Sequence, residues 1–175
     1  MALEFSGRCW KVGDFIPTDQ IVKTHRVLLP LPEIAKYVME DDNPRFAKEV
    51  RPGDVLVAGK HFGQSSGRAV ATKGLKATGI SCIVAEYFSR TFYRNAFEIG
   101  LPILECPGIH AATEEGDMLI VKLEDGTVTN ERTGQTLQGR KTDAFLMDML
   151  KAGGLIPMAP SLMERSSHET RTGPL

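Results

Sequence analysis

The chain has 175 residues, of which 42% are apolar and 25% charged, a composition that fits one globular domain and excludes a disordered or fibrous chain. Its 21 Lys and Arg residues against 22 Asp and Glu residues leave a formal charge of -1, which argues against a nucleic-acid binder. No apolar run approaches the roughly 20 residues that cross a bilayer, and the first residues lack a signal-peptide layout. We therefore expect a cytoplasmic protein with neither a membrane nor a nucleic acid as partner.

The residue types that bind metals are scattered along the chain. The three cysteines are odd in number and contain no C-x-x-C pair, which predicts buried thiols instead of disulfides or a cluster site; they are Cys9, Cys82 and Cys106. The four histidines have no i, i+4 spacing that would place two ligands on one helical face; they are His25, His61, His110 and His168. We expect this chain alone to hold no metal and no cofactor.

The first predicted elements are a short strand and a short helix. Trp10 and Val12 alternate with polar neighbours before a turn at residues 13–14, which indicates a strand. Leu31 and Pro32 begin an amphipathic helix that residues 41–44 interrupt.

A βαβ unit is predicted next. The apolar runs at residues 55–58 and 80–85 indicate two buried strands, and residues 68–76 between them favour a helix that Gly79 caps. A strand, a Gly/Ser loop, a helix and a second strand in this order are typical of parallel α/β folds.

Residues 88–99 predict another helix, since Phe88, Phe92, Ala96 and Ile99 share one face. Its other face carries acidic and basic residues four apart, which form either a ladder of surface ion pairs or an interface; they are Glu86, Arg90, Arg94 and Glu98.

The remaining chain predicts an antiparallel portion and a last helix. Residues 117–137 contain alternating apolar residues and tight turns, which indicates a β-meander. A helix over residues 142–151 is capped by glycine, and Leu155 and Ile156 are expected to return to the core. We therefore predict an α/β domain over residues 1–160 and a flexible tail over residues 161–175, or an arm that orders on a partner.

One loop carries candidate chemistry. Residues 61–68, HFGQSSGR, join a predicted strand to a predicted helix, where backbone N–H groups form a site for an anion. The glycines allow close approach of a ligand, the serines add donors, and Arg68 can bind a carboxylate through two hydrogen bonds. The alternative is that Ser65 or Ser66 only caps the helix.

Several known motifs are absent from this loop. It matches neither a P-loop nor a G-x-S-x-G nucleophile elbow, and no G-x-G-x-x-G occurs in the chain. What the residues support is a serine at a cationic helix start, where an alkoxide is stabilised and can act as a general base.

The run from residue 59 to residue 105 resembles the small subunit of isopropylmalate isomerase (3-isopropylmalate dehydratase), which is similar to the swivelling domain of aconitases. Its most specific part is FSRTFYRNAFEIGLP at residues 88–102, and PTDQI at residues 17–21 and KAGGL at residues 151–155 resemble the family's early and closing motifs. The resemblance covers residues 1–158.

This resemblance implies a swivelling β/β/α domain with an added antiparallel β portion. It also implies a separate large subunit that carries a [4Fe-4S] cluster, a small hydroxy di- or tricarboxylic acid as substrate, and a hydro-lyase reaction in leucine biosynthesis. The oligomeric state is left open, with a homo-oligomer of the isolated chain as one alternative.

The family loop usually reads F-G-x-G-S-S-R-E-H, so the resemblance places the catalytic base on Ser66 and the carboxylate-binding arginine on Arg68. Ser65 then stands where the second glycine belongs and Gly67 where the second serine belongs, while Ala69 and Val70 replace Glu and His. A shifted register makes Ser65 and Ser66 the serine pair, so Ser66 belongs to the pair under either alignment. Ser65 and Gly67 are expected to contact substrate beside them.

A second substrate contact is expected from Arg26 or from His25 beside it, because residues 21–28 occupy the family's I-x-P-A-R-Y/F-L stretch. The alternative there is a solvated surface turn. Arg90, Arg94 and Asn95 are interpreted mainly as scaffold and subunit-interface residues.

Three functions remain open. The first is a hydro-lyase small subunit acting on isopropylmalate, and the second is the same chemistry on another substituted malate of the homoaconitate, citramalate or dimethylmalate type. The third is a non-catalytic assembly module whose site was lost with the changes at Gly67, Ala69 and Val70.

Overall fold

The computed structural model describes residues 3–65 and 67–169, with side chains described up to residue 163. Its seven strands are β1 Glu4–Lys11, β2 Val55–Ala58, β3 Cys82–Ala85, β4 Ile103–Glu105, β5 Met118–Lys122, β6 Thr127–Asn130 and β7 Thr136–Gln138. Its eight α-helices are α1 Thr18–Ile21, α2 Leu31–Ala35, α3 Phe46–Glu49, α4 Val70–Ala77, α5 Arg90–Glu98, α6 Ile109–Ala112, α7 Ala144–Ala152 and α8 Leu155–Glu169.

The strands form one mixed sheet in the order β4-β3-β2-β1-β5-β6-β7. The half from β4 to β1 is parallel, and every residue of β2 and β3 is buried, as expected for strands covered on both faces. The half from β1 to β7 is antiparallel and forms the predicted meander. The predicted α/β architecture with an added antiparallel portion is confirmed.

Strand β1 belongs to both halves of the sheet. Its residues Cys9 to Lys11 pair in parallel with β2, and Glu4 to Arg8 pair antiparallel with β5. Trp10 anchors the strand, because its ring packs edge-on against Phe46 and its Nε1 donates to the buried carboxylate of Asp54 at 2.8 Å. A buried indole N–H needs such an acceptor.

The helices begin and end where local chemistry favours it. Ser89 caps α5 by accepting from the Phe92 N–H, and Asp143 caps α7 by accepting from the Phe145 N–H. Gly153 ends α7 with a φ of 87°, a left-handed conformation that favours glycine. No helix in the described part of the chain is both long and apolar enough to span a bilayer.

Three predictions about local structure were wrong. Helix α2 was expected to continue to about residue 40, but it ends at Ala35. The chain then forms turns up to Met39, which has a left-handed backbone conformation and donates its N–H to the Ile21 carbonyl at 3.0 Å. Of the two alternatives for the charged residues near α5, the ion-pair ladder does not form among the described residues. Glu86 precedes α5 and accepts instead from the N–H groups of Gly108 and His110.

The third prediction about local structure concerns the end of the chain. Leu155 and Ile156 do not return to the core, since Ile156 is 85% exposed. Helix α8 continues through residue 160 into the predicted tail, where Leu162 packs against the core and the Ser161 hydroxyl donates to Met158. Residues 170–175 lie outside the described residues, and the flexibility of the tail stays a prediction.

Candidate active site

The Gly/Ser loop leaves the carboxyl end of β2, the edge where open α/β sheets bind ligands. On one side the Thr18 N–H donates to Gln64 at 2.9 Å, which ties the loop to the start of α1. On the other side the Phe62 N–H donates to Tyr87 at 3.1 Å, which ties it to the segment before α5. The loop is therefore held between the continuations of β1 and β3.

Gly63 allows the loop to pass directly over α5. Its backbone has a φ of 78°, and a Cβ at this position would lie 2.3 Å from the ring of Phe92. Its N–H donates to Ile16 at 2.8 Å, and its carbonyl accepts from the hydroxyl of Ser89 at 2.6 Å. No larger residue fits here without moving the aromatic side chain beneath it.

Ser65 and Gly67 occupy the outer part of the loop, and both are exposed. Ser65 has a φ of 81°, in the left-handed region that favours glycine. The carbonyl of Gly67 accepts from the side-chain amide of Asn95 at 3.1 Å, so α5 supports this end of the loop as well.

The predicted base, Ser66, lies outside the described residues. Its neighbours Ser65 and Arg68 line one open cleft of about 210 Å³. The other described residues that line the cleft are Thr18, Asp19, Val22, Thr24, Val27 and Val70. A cleft of this size, with a guanidinium, a carboxylate and hydroxyl groups, can hold a small polar anion.

Helix α4 begins beside this cleft. Its N-cap is Ala69, so the alternative in which Ser65 caps the helix is wrong. Arg68 precedes the N-cap directly and is exposed. The positive end of the helix dipole and the guanidinium therefore act on the same region.

The second predicted contact region is arranged differently. Arg26 forms an ion pair with Glu40 at 3.2 Å and lies 3.7 Å over the ring of Tyr37. His25 is exposed in the short 3-10 turn Thr24–Arg26. Neither residue belongs to the described lining of the cleft, whereas their neighbours Thr24 and Val27 do.

Thr18 and Asp19 are polar lining residues to which sequence reasoning assigned no role. Their signal was present in the PTDQI segment, which was used only to support the resemblance. Asp19 is exposed at the start of α1, and the hydrogen bond from Thr18 to Gln64 holds this segment against the loop.

The cysteines take no part in the cleft. Burial raises the pKa of Cys9 and Cys82 to about 12 and that of Cys106 to about 11, so the thiolate form that binds metals is strongly disfavoured. Among the side chains that the structure describes, in residues 3–65 and 67–163, no three His, Cys, Asp or Glu are grouped to hold a metal ion.

Comparison with known proteins agrees with this architecture. Residues 33–107 match the Aconitase C-terminal domain model. The chain is 47% identical over 161 residues to the isopropylmalate/citramalate isomerase small subunit of Methanocaldococcus jannaschii, an alignment that covers 91% of this chain and 96% of that protein. This chain belongs to the 3-isopropylmalate dehydratase small-subunit family.

Other members of the family are similar over nearly their full lengths. The 3-isopropylmalate dehydratase small subunit of Aquifex aeolicus is 46% identical, with 91% of this chain and 96% of that protein covered. The crystal structure of the 3-isopropylmalate dehydratase of Methanocaldococcus jannaschii superimposes with a TM-score of 0.85 at 29% identity, covering 97% of this chain and 99% of that one. The family and the fold expected from the sequence are both confirmed.

Proposed function

We propose that this chain is the small subunit of an aconitase-type hydro-lyase that interconverts 2- and 3-isopropylmalate together with a large subunit. The observation that carries the proposal is the cleft at the carboxyl edge of the sheet, where Arg68 and the Gly/Ser loop meet. The names of the relatives support the reaction. We propose leucine biosynthesis in the cytoplasm as its setting.

In this mechanism Arg68 binds a substrate carboxylate. Its guanidinium can donate two parallel hydrogen bonds, and its charge stabilises the negative charge that develops when the neighbouring carbon loses its proton. Thr18 and Thr24 line the same cleft and supply hydroxyl groups for the remaining substrate oxygens.

Ser66 is the proposed base. It accepts the proton from the carbon next to the carboxylate and returns a proton to the product during rehydration. The dipole of α4 and the charge of Arg68 stabilise the oxyanion of serine and so reduce the free energy needed to form it. Ser65 and Gly67, its neighbours in sequence, are proposed to contact the substrate beside it.

We assign the Lewis acid of the reaction to a [4Fe-4S] cluster on the large subunit. The buried thiols of this chain do not fit such a group, because the pKa of each is raised by burial. A cluster iron supplies a Lewis acid for the leaving hydroxyl group. The small subunit thus contributes only half of the active site.

A second substrate remains a candidate. The name of the Methanocaldococcus jannaschii relative includes citramalate, and Gly67, Ala69 and Val70 differ from the usual family loop. Acids of the homoaconitate and dimethylmalate types undergo the same addition or loss of water next to a carboxylate. The assembly-module alternative predicts no turnover of any of these acids.

The test is anaerobic reconstitution with the large subunit and an assay against these substituted malates. Ser66→Ala should lower kcat by about 10²–10⁴-fold without weakening subunit association. Arg68→Lys should mainly raise KM, because one ammonium group cannot replace the two hydrogen bonds of a bidentate guanidinium. Ser6→Ala, an exposed serine of β1, is the matched control and should keep full activity. Full activity of Ser66→Ala would reject the base, and no turnover of any acid would reject the hydro-lyase function.

A further inference from the structure

A second open surface lies on α5 beside the active-site cleft. A groove of about 510 Å³ is lined by Tyr87, Phe88, Arg90, Tyr93, Arg94, Glu105, Arg140 and Leu146. These residues come from the carboxyl ends of β3 and β4, from α5, from the segment between β7 and α7, and from α7. The groove therefore opens at the same sheet edge as the cleft.

The groove carries uncompensated positive charge. Its one carboxylate among the described lining residues, Glu105, already accepts from the Phe88 N–H at 3.1 Å and pairs with Arg140 at 3.2 Å. Arg90 and Arg94 are exposed one helical turn apart, and neither forms an ion pair in the described structure. Two adjacent guanidinium groups of this kind attract carboxylates of a partner.

Aromatic residues extend the groove toward the loop. Tyr87 packs edge-on against His61 at 5.1 Å, and His61 stacks on Phe15 at 5.3 Å. Phe15 is 53% exposed, and both Phe15 and His61 hold left-handed backbone conformations with φ near 58° and 55°. Exposed aromatic side chains next to arginines are the residue types that dominate protein interfaces.

Helix α5 connects this surface to the cleft. Thr91 lies 3.6 Å from where a Cβ of Gly67 would be, and Asn95 donates to the Gly67 carbonyl. Arg90 and Arg94 occupy the adjacent row of the same helix. This row therefore lies next to the loop that lines the cleft.

We propose that the surface formed by Phe15, His61, Tyr87, Arg90, Tyr93 and Arg94, called here the rim surface, docks the large subunit through an acidic segment of that subunit. The inference rests on the proposed function, because it takes the large subunit as the occupant. Carboxylates of this segment pair with Arg90 and Arg94, while the aromatic side chains pack against its apolar atoms.

The experiment measures the dissociation constant of the two full-length subunits by calorimetry over a range of salt concentrations. The double variant Arg90→Glu with Arg94→Glu should raise the dissociation constant at least about tenfold and remove most of its salt dependence. Arg90→Gln with Arg94→Gln should give an intermediate value. Circular dichroism and thermal unfolding establish that each variant is folded.

The matched control is Lys48→Glu with Arg51→Glu. These exposed residues precede β2 at the opposite edge of the sheet, and their reversal changes the net charge by the same amount. The control should stay within about twofold of the original chain. At saturating large subunit, kcat of the Arg90 and Arg94 variant should recover, because docking and not chemistry is altered.

An unchanged dissociation constant for the Arg90 and Arg94 variant would overturn the proposal, as would equal weakening by the control. An effect on self-association of this chain alone, measured by sedimentation, would assign the surface to a second copy and also overturn it. If the subunits associate through the rim surface but turn over none of the tested acids, the proposed reaction fails and the docking surface stands.

Discussion

Ser65, at the cleft, has a backbone conformation that a residue with a side chain rarely adopts. A φ of 81° is easy for glycine, whereas the Cβ of other residues meets the neighbouring backbone and costs about 1–2 kcal/mol. In the ungapped match, the family loop that the sequence resembles has glycine at this position. The serine is therefore held in place by the contacts of Gly63, Gln64 and Gly67 on either side.

Replacing Ser65 by glycine should relieve this strain. We expect Ser65→Gly to raise the free energy of unfolding by about 1 kcal/mol, less the entropy that glycine adds to the unfolded chain. The shift in the midpoint of urea unfolding, measured at constant slope, checks the prediction. Ser65→Ala keeps the Cβ and loses only the hydroxyl group, so it should give no gain; equal stabilisation by both variants would contradict the backbone explanation.

At the scale of elements, a buried carboxylate holds the meander against the rest of the fold. Asp117 precedes β5 and accepts from Arg132 beyond β6 and from Asn130 at 2.7 Å. Asn130 also donates to the carbonyl of Ala112 in α6, at 3.0 Å. Hydrogen bonding by Arg132 lowers the pKa of Asp117 from an ordinary 3.8 to about 2.

This lowered pKa predicts how stability depends on pH. Because the folded state binds the Asp117 proton less tightly than the unfolded state, its contribution is complete above about pH 4 and is lost as the pH falls toward 2. Asp117→Asn should cost about 2 kcal/mol at pH 7, and its difference from the original chain should shrink between pH 4 and pH 2. Unfolding curves at several pH values measure this.

The control for this prediction is Asp125→Asn, which removes an exposed carboxylate from the turn between β5 and β6. Its effect should stay within about 0.5 kcal/mol at every pH. A pH-independent cost for Asp117→Asn would show that packing, and not the ionised carboxylate, holds the meander.

Secondary-structure elements were predictable where the hydrophobic pattern and the turn or capping residues indicate the same boundaries. Strand β2 is a short apolar run after a turn, and α7 ends at glycine, so both are found where the sequence places them. The length of the helix from residue 31 was not predicted correctly. The left-handed turn at Met39 depends on a hydrogen bond to Ile21, and the local sequence pattern does not indicate this contact. The ion-pair ladder failed for a related reason, since backbone N–H groups compete for Glu86.

At the scale of the whole molecule, the core encloses all three thiols. Cys9, Cys82 and Cys106 are buried on or beside the parallel strands, and their raised pKa values leave little thiolate near neutral pH. Buried thiols of this kind react only when the fold opens.

We therefore expect no thiol of the folded chain to react readily with an aromatic disulfide reagent at pH 8. Labelling should be about a hundredfold or more slower than that of free cysteine, and all three thiols should react at once in guanidinium chloride. Absorbance of the released thiolate gives both the rate and the number of groups. Rapid labelling of one thiol in the native chain would contradict the burial argument.

The residues of the cleft were only partly predictable, because some of them meet only through the arrangement of the whole sheet. Ser65 and Arg68 are close in sequence, so their loop could be recognised from its glycines and its neighbours. Thr18 and Asp19 join them only because β1 and β2 run parallel and deliver both segments to one edge. Arg26 is directed by Glu40 and Tyr37, a pairing that the spacing of charges does not predict.

Because β1 pairs with both β2 and β5, insertions and deletions within this strand are expected to disrupt the fold. One extra residue near Arg8 would reverse which face each later side chain occupies, so Trp10 would leave the core while two pairings lost their alignment together. Insertions are tolerated far better at exposed positions of surface turns, such as Glu124 and Asp125 between β5 and β6. Natural and engineered variants should therefore differ in length at the loops and keep the central strand at constant size.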